Sequence, residues 1–332
     1  MQDWLSGALG CLEPAVLVTV AIAEGSVPRE AGAHMVVSRT ALADTIGGGH
    51  LELKAIAIAR AMLDDGRTRH FERFPLGPGL GQCCGGVAHL LFERIDAPQL
   101  AHLACRRNTD SFRLVQIDGG ASVLCDAAGR VLLGAAAPPF DVSAGTHVLR
   151  DREGRRWLAD AILAPRAHLV LFGAGHVGAA IVRLLGGLPC RVTWVDERED
   201  MFPDAVPPNV RIEATDTPEA VVAGVPAGAS FLVMTHSHAL DQRLSEAILA
   251  RPDAGWFGLI GSTTKRRQFE HRLHARGLDP QRIAAMVCPI GIAGVQSKQP
   301  AVIAIAVAAQ LLGVWEAQRS VPATLPVSSE RS

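Results

Sequence analysis

The chain has 332 residues, of which 48% are hydrophobic and 20% are charged, and its formal net charge is −1 at pH 7. This length allows about two domains with separate cores, and the near-zero charge provides no basic field that would attract nucleic acid. Seven cysteines at irregular spacing argue against a disulfide framework.

Residues 1–105 mix strands and helices. The run AVLVTVAIAEGS at 15–26 predicts a buried strand, and HMVVSR at 34–39 supplies its partner. LELKAIAIARAML at 51–63 has apolar residues at helical spacing, which predicts a helix. The first run is too short to span a bilayer and no basic leader precedes it. We therefore expect a cytoplasmic protein that does not act on a membrane.

Two loops in this region carry candidate cofactor-binding residues. One is the Pro/Gly-rich stretch GSVPREAGAHM at 25–35, and the other is IGGGHLE at 46–52. Glycines that lead into a helix N-terminus can form an anion nest, because the backbone N–H groups point outward. The alternative is a tight strand-to-helix turn with a capping histidine. The candidate residues are Arg29, Gly47, Gly48, Gly49, His50 and Glu52.

A third loop, GLGQCCGG at 79–86, places Cys83 next to Cys84. It lacks the C-x-x-C spacing of a structural zinc site, and a disulfide between neighbours would be strained and easily reduced. Two buried inert thiols are one interpretation. The flanking glycines favour another, in which the thiolates are ligands for a soft or redox-active metal, or carry a sulfur atom. Cys83 and Cys84 are therefore candidates for binding such a metal or for carrying sulfur.

The pattern changes twice along the rest of the chain. Short strand-like segments separated by Gly, Asp and Arg turns fill residues 106–165, which predicts connecting strands. From Leu169 onward, apolar strands alternate with helical segments, as in a parallel α/β sheet. The predicted fold is α/β, with a C-terminal Rossmann-type domain preceded by a smaller α+β domain. The predicted boundaries are 1–105, 106–165 for the connecting strands, 166–318 for the Rossmann-type domain and 319–332 for a disordered tail.

The Rossmann assignment depends on LVLFGAGHVG at 169–178, a G-x-G-x-x-G pattern between a strand and a helix. The first glycine makes the turn, the second admits a pyrophosphate and the third seats the helix. An acid at the end of RVTWVD stands where a ribose-binding carboxylate is expected. A Rossmann scaffold that uses its nucleotide site for another purpose is the alternative. The candidate residues are Gly173, Gly175, His176, Gly178, Asp196 and Arg198.

A histidine pair follows the strand SFLVMT, in the sequence VMTHSHALD. Its spacing is similar to that of binuclear zinc hydrolases, but Leu240 and Gln242 stand where those enzymes need a carboxylate and a histidine. We expect hydrogen bonds to a bound ligand, or a helix cap, more than metal ligation. The candidate residues are His236, His238 and Asp241.

The final helical stretch, PAVIAIAVAAQLLGVW at 300–315, is almost entirely apolar. Such a helix has to be covered on most sides, so it predicts packing between layers or at a subunit contact. A homodimer is consistent with the second arrangement.

Taken together, GSVPREAGAHMVV, IGGGHLE, GLGQCCGG, LFGAGHVG, VDER, MTHSHALD, FGLIGSTTKRRQF and CPIGI resemble the XdhC/CoxI family. The resemblance runs from about residue 25 to 312, except for the weakly patterned middle, and the motifs follow the family's order. Three residues of the last helix depart from the family, where acidic or hydroxyl side chains are common, which weakens a polar role for that helix. They are Val302, Ala306 and Gln310.

This resemblance implies an accessory protein that is not itself an enzyme. Such proteins bind the molybdenum cofactor (molybdopterin), protect it, present it to a cysteine desulfurase and deliver it to the apo-subunit of xanthine dehydrogenase. By the same resemblance, the Cys83–Cys84 loop is the molybdenum contact and the two glycine loops hold the pterin and its phosphate, with a nucleotide at the Rossmann loop left open. The alternatives are an NAD(P)-dependent oxidoreductase and a metallohydrolase.

Overall fold

The computed structural model describes residues 3–77 and 85–319. The chain divides into two compact units, Met1–Ala164 and Pro165–Ser332. Apart from Arg319, the predicted disordered tail lies outside the described residues.

The first unit contains an antiparallel sheet with the strand order β3-β2-β1-β5-β4. The predicted pairing of its first two strands is confirmed, with Val18 opposite Met35. The predicted helix is α2, and its apolar face covers one side of this sheet in a core that includes Ala55 and Met62. The elements are α1 (Trp4–Gly10), β1 (Ala15–Glu24), β2 (His34–Ser38), β3 (Leu42–Asp44), α2 (Gly49–Asp65), β4 (Arg69–Pro75), β5 (Val87–Arg94) and α3 (Ala97–Cys105).

The region predicted as connecting strands forms a second five-stranded antiparallel sheet in the first unit, with the order β8-β7-β6-β10-β9. Four of its strands match predicted segments. The fifth, β10, was not predicted, although it pairs with both β6 and β9. The strands are β6 (Ser111–Gln116), β7 (Ser122–Asp126), β8 (Val131–Leu133), β9 (His147–Arg150) and β10 (Arg156–Ile162).

Side chains from both sheets of the first unit meet in shared clusters. One apolar cluster joins Ala21 and Leu91 of the first sheet to Val115 and Leu158 of the second. Beside it runs a chain of charged side chains, in which Arg113 donates to Glu93 at 2.7 Å and to Asp160 at 2.9 Å. The two sheets are therefore joined by ion pairs as well as by hydrophobic contact.

The second unit contains a parallel sheet with the order β13-β12-β11-β14-β15. Every neighbouring pair of strands is parallel, so the predicted Rossmann-type architecture is confirmed. Strand β13 and helix α8 were not predicted. The elements are β11 (Ala167–Phe172), α4 (His176–Leu185), β12 (Cys190–Asp196), β13 (Val210–Ala214), α5 (Pro218–Gly224), β14 (Ser230–Val233), α6 (His238–Ala250), β15 (Trp256–Leu259), α7 (Thr263–Ala275), α8 (Pro280–Ala285) and α9 (Pro300–Arg319).

The final helix, α9, buries one face against α4 and the sheet. Val307, Leu311 and Trp315 lie in that core, whereas Ile305 on the opposite face is 60% exposed. Of the two arrangements expected for this helix, packing between layers is therefore wrong, and packing at a subunit contact stays a prediction. By length and composition alone the stretch Pro300–Gln318 could cross a membrane, but its inner face forms part of the domain core. The helix also has a polar contact, since Gly291 N donates to Gln310 Oε1 at 2.8 Å.

Candidate functional site

The Rossmann glycine loop has the geometry that its motif predicts. Gly173 has a φ of +120°, and a Cβ there would overlap the Met234 carbonyl. A Cβ on Gly178 would overlap the Gly173 carbonyl, so this glycine lets α4 approach the strand closely. Gly175 differs, because a Cβ there would meet only open space. This glycine caps the N-terminus of α4 without a side-chain hydrogen bond, and the adjacent His176 is exposed. The first turn of the helix is thus open to an anion.

Asp196 is 6% exposed and organises this loop from inside. Its Oδ2 accepts a 2.6 Å hydrogen bond from Ala174 N, and its Oδ1 accepts hydrogen bonds from Arg198 N at 3.0 Å and Arg198 Nε at 2.9 Å. Burial opposes the charge of this carboxylate, but the hydrogen bonds from Arg198 and Ala174 hold its pKa below the usual value. A ribose hydroxyl would have to compete with Arg198 for this acid.

Asp241 is 1% exposed and is also committed to the fold. Its Oδ1 accepts from Thr235 N at 3.1 Å and from Thr235 Oγ1 at 2.7 Å, while Lys265 Nζ donates to its Oδ2 at 2.6 Å. Lys265 Nζ also donates to the Ile260 carbonyl at 2.9 Å. The ion pair therefore fastens α7 to α6 and to the ends of β14 and β15.

The two predicted histidines, His236 and His238, precede Asp241 in the chain and are exposed. Ser237, between them, caps α6 by accepting a hydrogen bond from Leu240 N. His236 lines a small crevice together with Asp196, Thr235 and Phe172. In the described part of the chain, no group of three or more His, Cys, Asp or Glu side chains is placed to hold a metal ion.

Sequence reasoning assigned no role to Lys265, although its segment FGLIGSTTKRRQF was recognised as a motif. Its side chain is 12% exposed and its partner Asp241 is 2% exposed, so the pair is almost completely buried. The available signal was a lysine at the start of a helix that follows a buried strand, because such a position lies at the carboxyl edge of a parallel sheet.

In the first unit, three predicted loops meet at one end of the first sheet. Arg29 Nη1 donates to the Thr45 carbonyl at 3.2 Å, and a Cβ on Gly47 would overlap Pro28. Gly86 N donates to the Ser26 carbonyl at 3.1 Å, which brings the end of the cysteine loop to the same place. We call residues 25–30, 45–52 and 85–86 the loop cluster.

Glu52 holds the glycine loop of this cluster. Its Oε1 accepts from Ile46 N and from Gly48 N, both at 2.9 Å, and from the Thr45 hydroxyl. Two loop amides are thus satisfied internally, and Glu52 is a structural residue of the loop. The N-terminus of α2 still has no side-chain cap, and the backbone turns through positive φ values of 117°, 76° and 65° at Gly47, Gly48 and Gly49.

The surface of the loop cluster is open where the prediction placed a ligand. His50 and Gly49 are exposed, and a Cβ on Gly48 would have no neighbour within contact distance. The predicted metal ligands Cys83 and Cys84 lie outside the described residues. The chain enters their loop from Leu76, whose N–H donates to the Gly86 carbonyl at 2.9 Å.

Comparison with known proteins places both units. The family model described as "XdhC and CoxI family" matches residues 12–75, and the one described as "XdhC Rossmann domain" matches residues 169–311. Together the two matches cover more than half of the chain. The chain belongs to the XdhC and CoxI family. The N-terminal match includes Arg29 and the glycine loop, and the XdhC Rossmann match includes the second glycine motif and Asp241.

Two individual proteins resemble this member of the XdhC and CoxI family. The uncharacterized protein YqeB of Escherichia coli (strain K12) is 29% identical over 150 residues, which are 45% of this chain and 27% of that protein. The chain therefore spans about a quarter of the length of this curated relative. A protein from Bacillus halodurans, whose crystal structure is described as that of a xanthine dehydrogenase, has a TM-score of 0.68 at 20% identity. The alignment covers 96% of this chain and 97% of that one, which shows a common fold.

Proposed function

We propose that this chain is an accessory protein for the maturation of xanthine dehydrogenase, with no catalytic turnover of its own. In this proposal it binds the molybdenum cofactor, protects it, supports its sulfuration and delivers it to the enzyme. Membership of the XdhC and CoxI family supports the maturation role. The observation that supports cofactor binding is the loop cluster, where Arg29, an uncapped helix N-terminus and the attachment points of the cysteine loop lie together.

The loop cluster and the cysteine loop attached to it suit different parts of the proposed cargo. Thiolates are soft ligands and suit molybdenum, so Cys83 and Cys84 are assigned to the metal. The open N-terminus of α2, with Arg29 beside it, suits a phosphate group. Because the Glu52 carboxylate already occupies Ile46 N and Gly48 N, we assign the phosphate to the first-turn amides of α2 instead.

The Rossmann loop offers a second place for a phosphate-bearing group. The open space at Gly175 and the uncapped start of α4 suit the nucleotide portion of a dinucleotide form of the cofactor. The proposed partners are the apo-subunit of xanthine dehydrogenase and a cysteine desulfurase, and the proposed location is the cytoplasm. The exposed face of α9 is proposed as the contact of a homodimer.

The deciding experiment removes the two thiols. Cys83→Ala combined with Cys84→Ala should lose most of the bound molybdenum, because no other soft ligand is assigned to the metal. Molybdenum is measured by mass spectrometry on protein purified from a cell that makes the cofactor, with circular dichroism to verify folding. Cys105→Ala, which removes an exposed cysteine of α3, is the matched control and should retain molybdenum. Wild-type molybdenum content in the double variant would refute the assignment.

The competing function is an NAD(P)-dependent oxidoreductase. It is favoured by the open glycine loop, whereas the engagement of Asp196 by Arg198 counts against a free ribose site. Saturable NADH binding by protein that retains no molybdenum would favour this alternative over the accessory role.

A further inference from the structure

The N-terminal helix α1 contacts the end of β3, directly before the glycine loop of the loop cluster. Trp4 N donates to Asp44 Oδ2 at 3.1 Å. A Cβ on Gly7 would lie 2.1 Å from Ala43 Cβ, so α1 packs closely on β3. The helix precedes residues 12–75, which the family model matches, so it is not part of that match. The proposed function uses neither α1 nor Asp44.

Three further contacts fix α1 in this position. The Trp4 indole stacks on the His34 imidazole with ring centroids 4.6 Å apart, and His34 is only 5% exposed. Arg107 donates to Asp3 Oδ2 at 3.1 Å and to Ser6 Oγ at 2.7 Å. Because these contacts hold the helix, its first N–H group is a fixed partner for the carboxylate at the end of β3.

Asp44 has a backbone conformation that is uncommon for residues other than glycine. Its φ is +61°, and among the residues that the structure describes it is the single non-glycine residue with a positive φ. A Cβ disfavours this left-handed conformation, but aspartate tolerates it better than most residues because its carboxylate can accept from nearby backbone N–H groups. Asp44 Oδ1 accepts in this way from Thr45 N at 2.8 Å. The two carboxylate oxygens therefore fix the Asp44–Thr45 peptide relative to α1.

Thr45 connects this peptide to the rest of the loop cluster. Its carbonyl accepts from Arg29 Nη1 at 3.2 Å, and its hydroxyl oxygen accepts from Gly47 N at 3.0 Å. The same hydroxyl donates to Glu52, whose carboxylate also accepts from two amides of the glycine loop. A rotation of the Asp44–Thr45 peptide would therefore move Arg29 and the glycine loop together.

From these contacts we propose that α1 and Asp44 brace the loop cluster, and that Asp44 is a positioning residue for an anion bound at the N-terminus of α2. The role rests on the proposed function, which assigns a phosphate group to the first-turn amides of that helix. Asp44 does not touch the ligand and acts through Thr45 and Arg29. A site that is fixed before its ligand arrives loses less entropy on binding, so the brace should raise the affinity for the anion.

Hydrogen exchange tests the brace without any ligand. Trp4→Pro removes the N–H that Asp44 accepts. Proline is tolerated there because Trp4 is the first residue of α1 and the preceding Asp3 is extended, with φ −60° and ψ 157°. Trp4→Ala is the matched control, since it loses the same indole but keeps the N–H. In the full-length protein, the amides of Ile46 and Gly48 should exchange about tenfold faster in Trp4→Pro than in Trp4→Ala, as followed by NMR.

Inorganic phosphate is the probe for the anion site. In the wild type, titration should shift the amide signals of Gly49 and His50, and the dissociation constant should be roughly threefold higher in Trp4→Pro than in Trp4→Ala. Asp44→Gly is a second variant, because glycine adopts a positive φ readily but lacks the carboxylate. It should weaken phosphate binding to a similar extent. Asp279→Gly removes a carboxylate that caps α8 in the second unit, and it should bind phosphate like the wild type.

Each outcome separates the brace from the proposed function. Faster exchange together with weaker phosphate binding, in variants whose circular dichroism matches the wild type, would support the positioning role. Equal exchange rates in Trp4→Pro and Trp4→Ala, or wild-type phosphate affinity in both Trp4→Pro and Asp44→Gly, would overturn it. A wild type whose α2 amides do not respond to phosphate would instead contradict the proposed phosphate assignment, and the exchange rates would still decide whether α1 fixes the loop.

Discussion

Close contacts require two of the three glycines of the Rossmann motif, Gly173 and Gly178, and substitution separates them from Gly175. Gly178→Ala places a methyl group against the Gly173 carbonyl and should destabilise the protein by about 1–3 kcal/mol. Gly175→Ala meets open space at a φ of −73°, which alanine adopts readily, so stability should stay within about 1 kcal/mol of wild type. Urea unfolding of both variants measures the difference. Equal destabilisation of the two variants would contradict the absence of a steric conflict at Gly175.

At the scale of single residues, the sequence was informative where a role depends on neighbouring residues in the chain. The turn at Gly173 and the close helix packing at Gly178 follow from one strand, one turn and one helix, and both were predicted. The role of Gly175 toward a pyrophosphate stays a prediction. The engagement of Asp196 in the loop was not predicted, because its carboxylate accepts a hydrogen bond from Ala174 N, which lies on a different segment of the chain. The Lys265 pair with Asp241 was also missed, since it joins residues from two helices.

At the scale of elements, the charged chain between the two sheets of the first unit deserves a test. Asp160 is fully buried, and it accepts from Arg113 and lies 3.0 Å from His34 Nε2. Asp160→Asn would leave Arg113 without one of its two carboxylates, which should cost about 3–5 kcal/mol. Asp118→Asn breaks the exposed pair with Arg156 in the same sheet and should cost no more than roughly 0.5 kcal/mol. Urea unfolding at pH 7 compares the two, and similar losses would show that the buried network does not stabilise the junction of the sheets.

The same network explains why β10 was not predicted. Its sequence RWLADAI places a charged residue at a fully buried position, which breaks the alternation expected of a half-buried strand. The charge is tolerated because Arg113 and His34 approach from other strands, and that proximity is long-range. Strand β13 was missed for another reason, since it is a short strand, VRIEA, and its residues are partly exposed.

At the scale of the whole molecule, the sequence predicted both kinds of domain but not the complete sheet formed by residues 106–165. The sequence of each short strand in that sheet does not indicate which strand it pairs with. The pairing could not be assigned without the buried contacts between the sheets. The last helix shows a different limit. Its composition predicted cover on most sides, either between layers or at a subunit contact, whereas within its own unit α9 buries one face and exposes Ile305 and Leu312. Composition reports apolar content, and it does not report which face meets the core.

The stability of the whole chain should fall as the pH falls in two windows. Burial, reinforced by the neighbouring Arg191, lowers the pKa of His168 from 6.5 to about 4. Between these values the unfolded chain binds a proton that the folded chain does not, so stability decreases as the pH falls from about 6.5 to 4. Below this window the carboxyl groups act. Burial raises the pKa of Asp160, but His34 and Arg113 outweigh it and hold that pKa below 3.8, so its contribution is lost as the pH falls through the folded value.

His168→Gln isolates the first window, because glutamine can still hydrogen-bond to Thr193 Oγ1, which lies 2.9 Å from His168 Nε2, yet does not titrate. Urea unfolding at pH 7 and at pH 5 should show a smaller loss of stability in this variant than in the wild type. His274→Gln, at an exposed position of α7, should lose as much stability as the wild type. If His168→Gln instead retained the full pH dependence, the acid sensitivity would have to arise from other groups. His168 Nδ1 is buried without a partner in the described residues, so its protonation would place an unpaired N–H inside the second unit. The neutral form of this histidine is therefore the one that the folded chain accommodates.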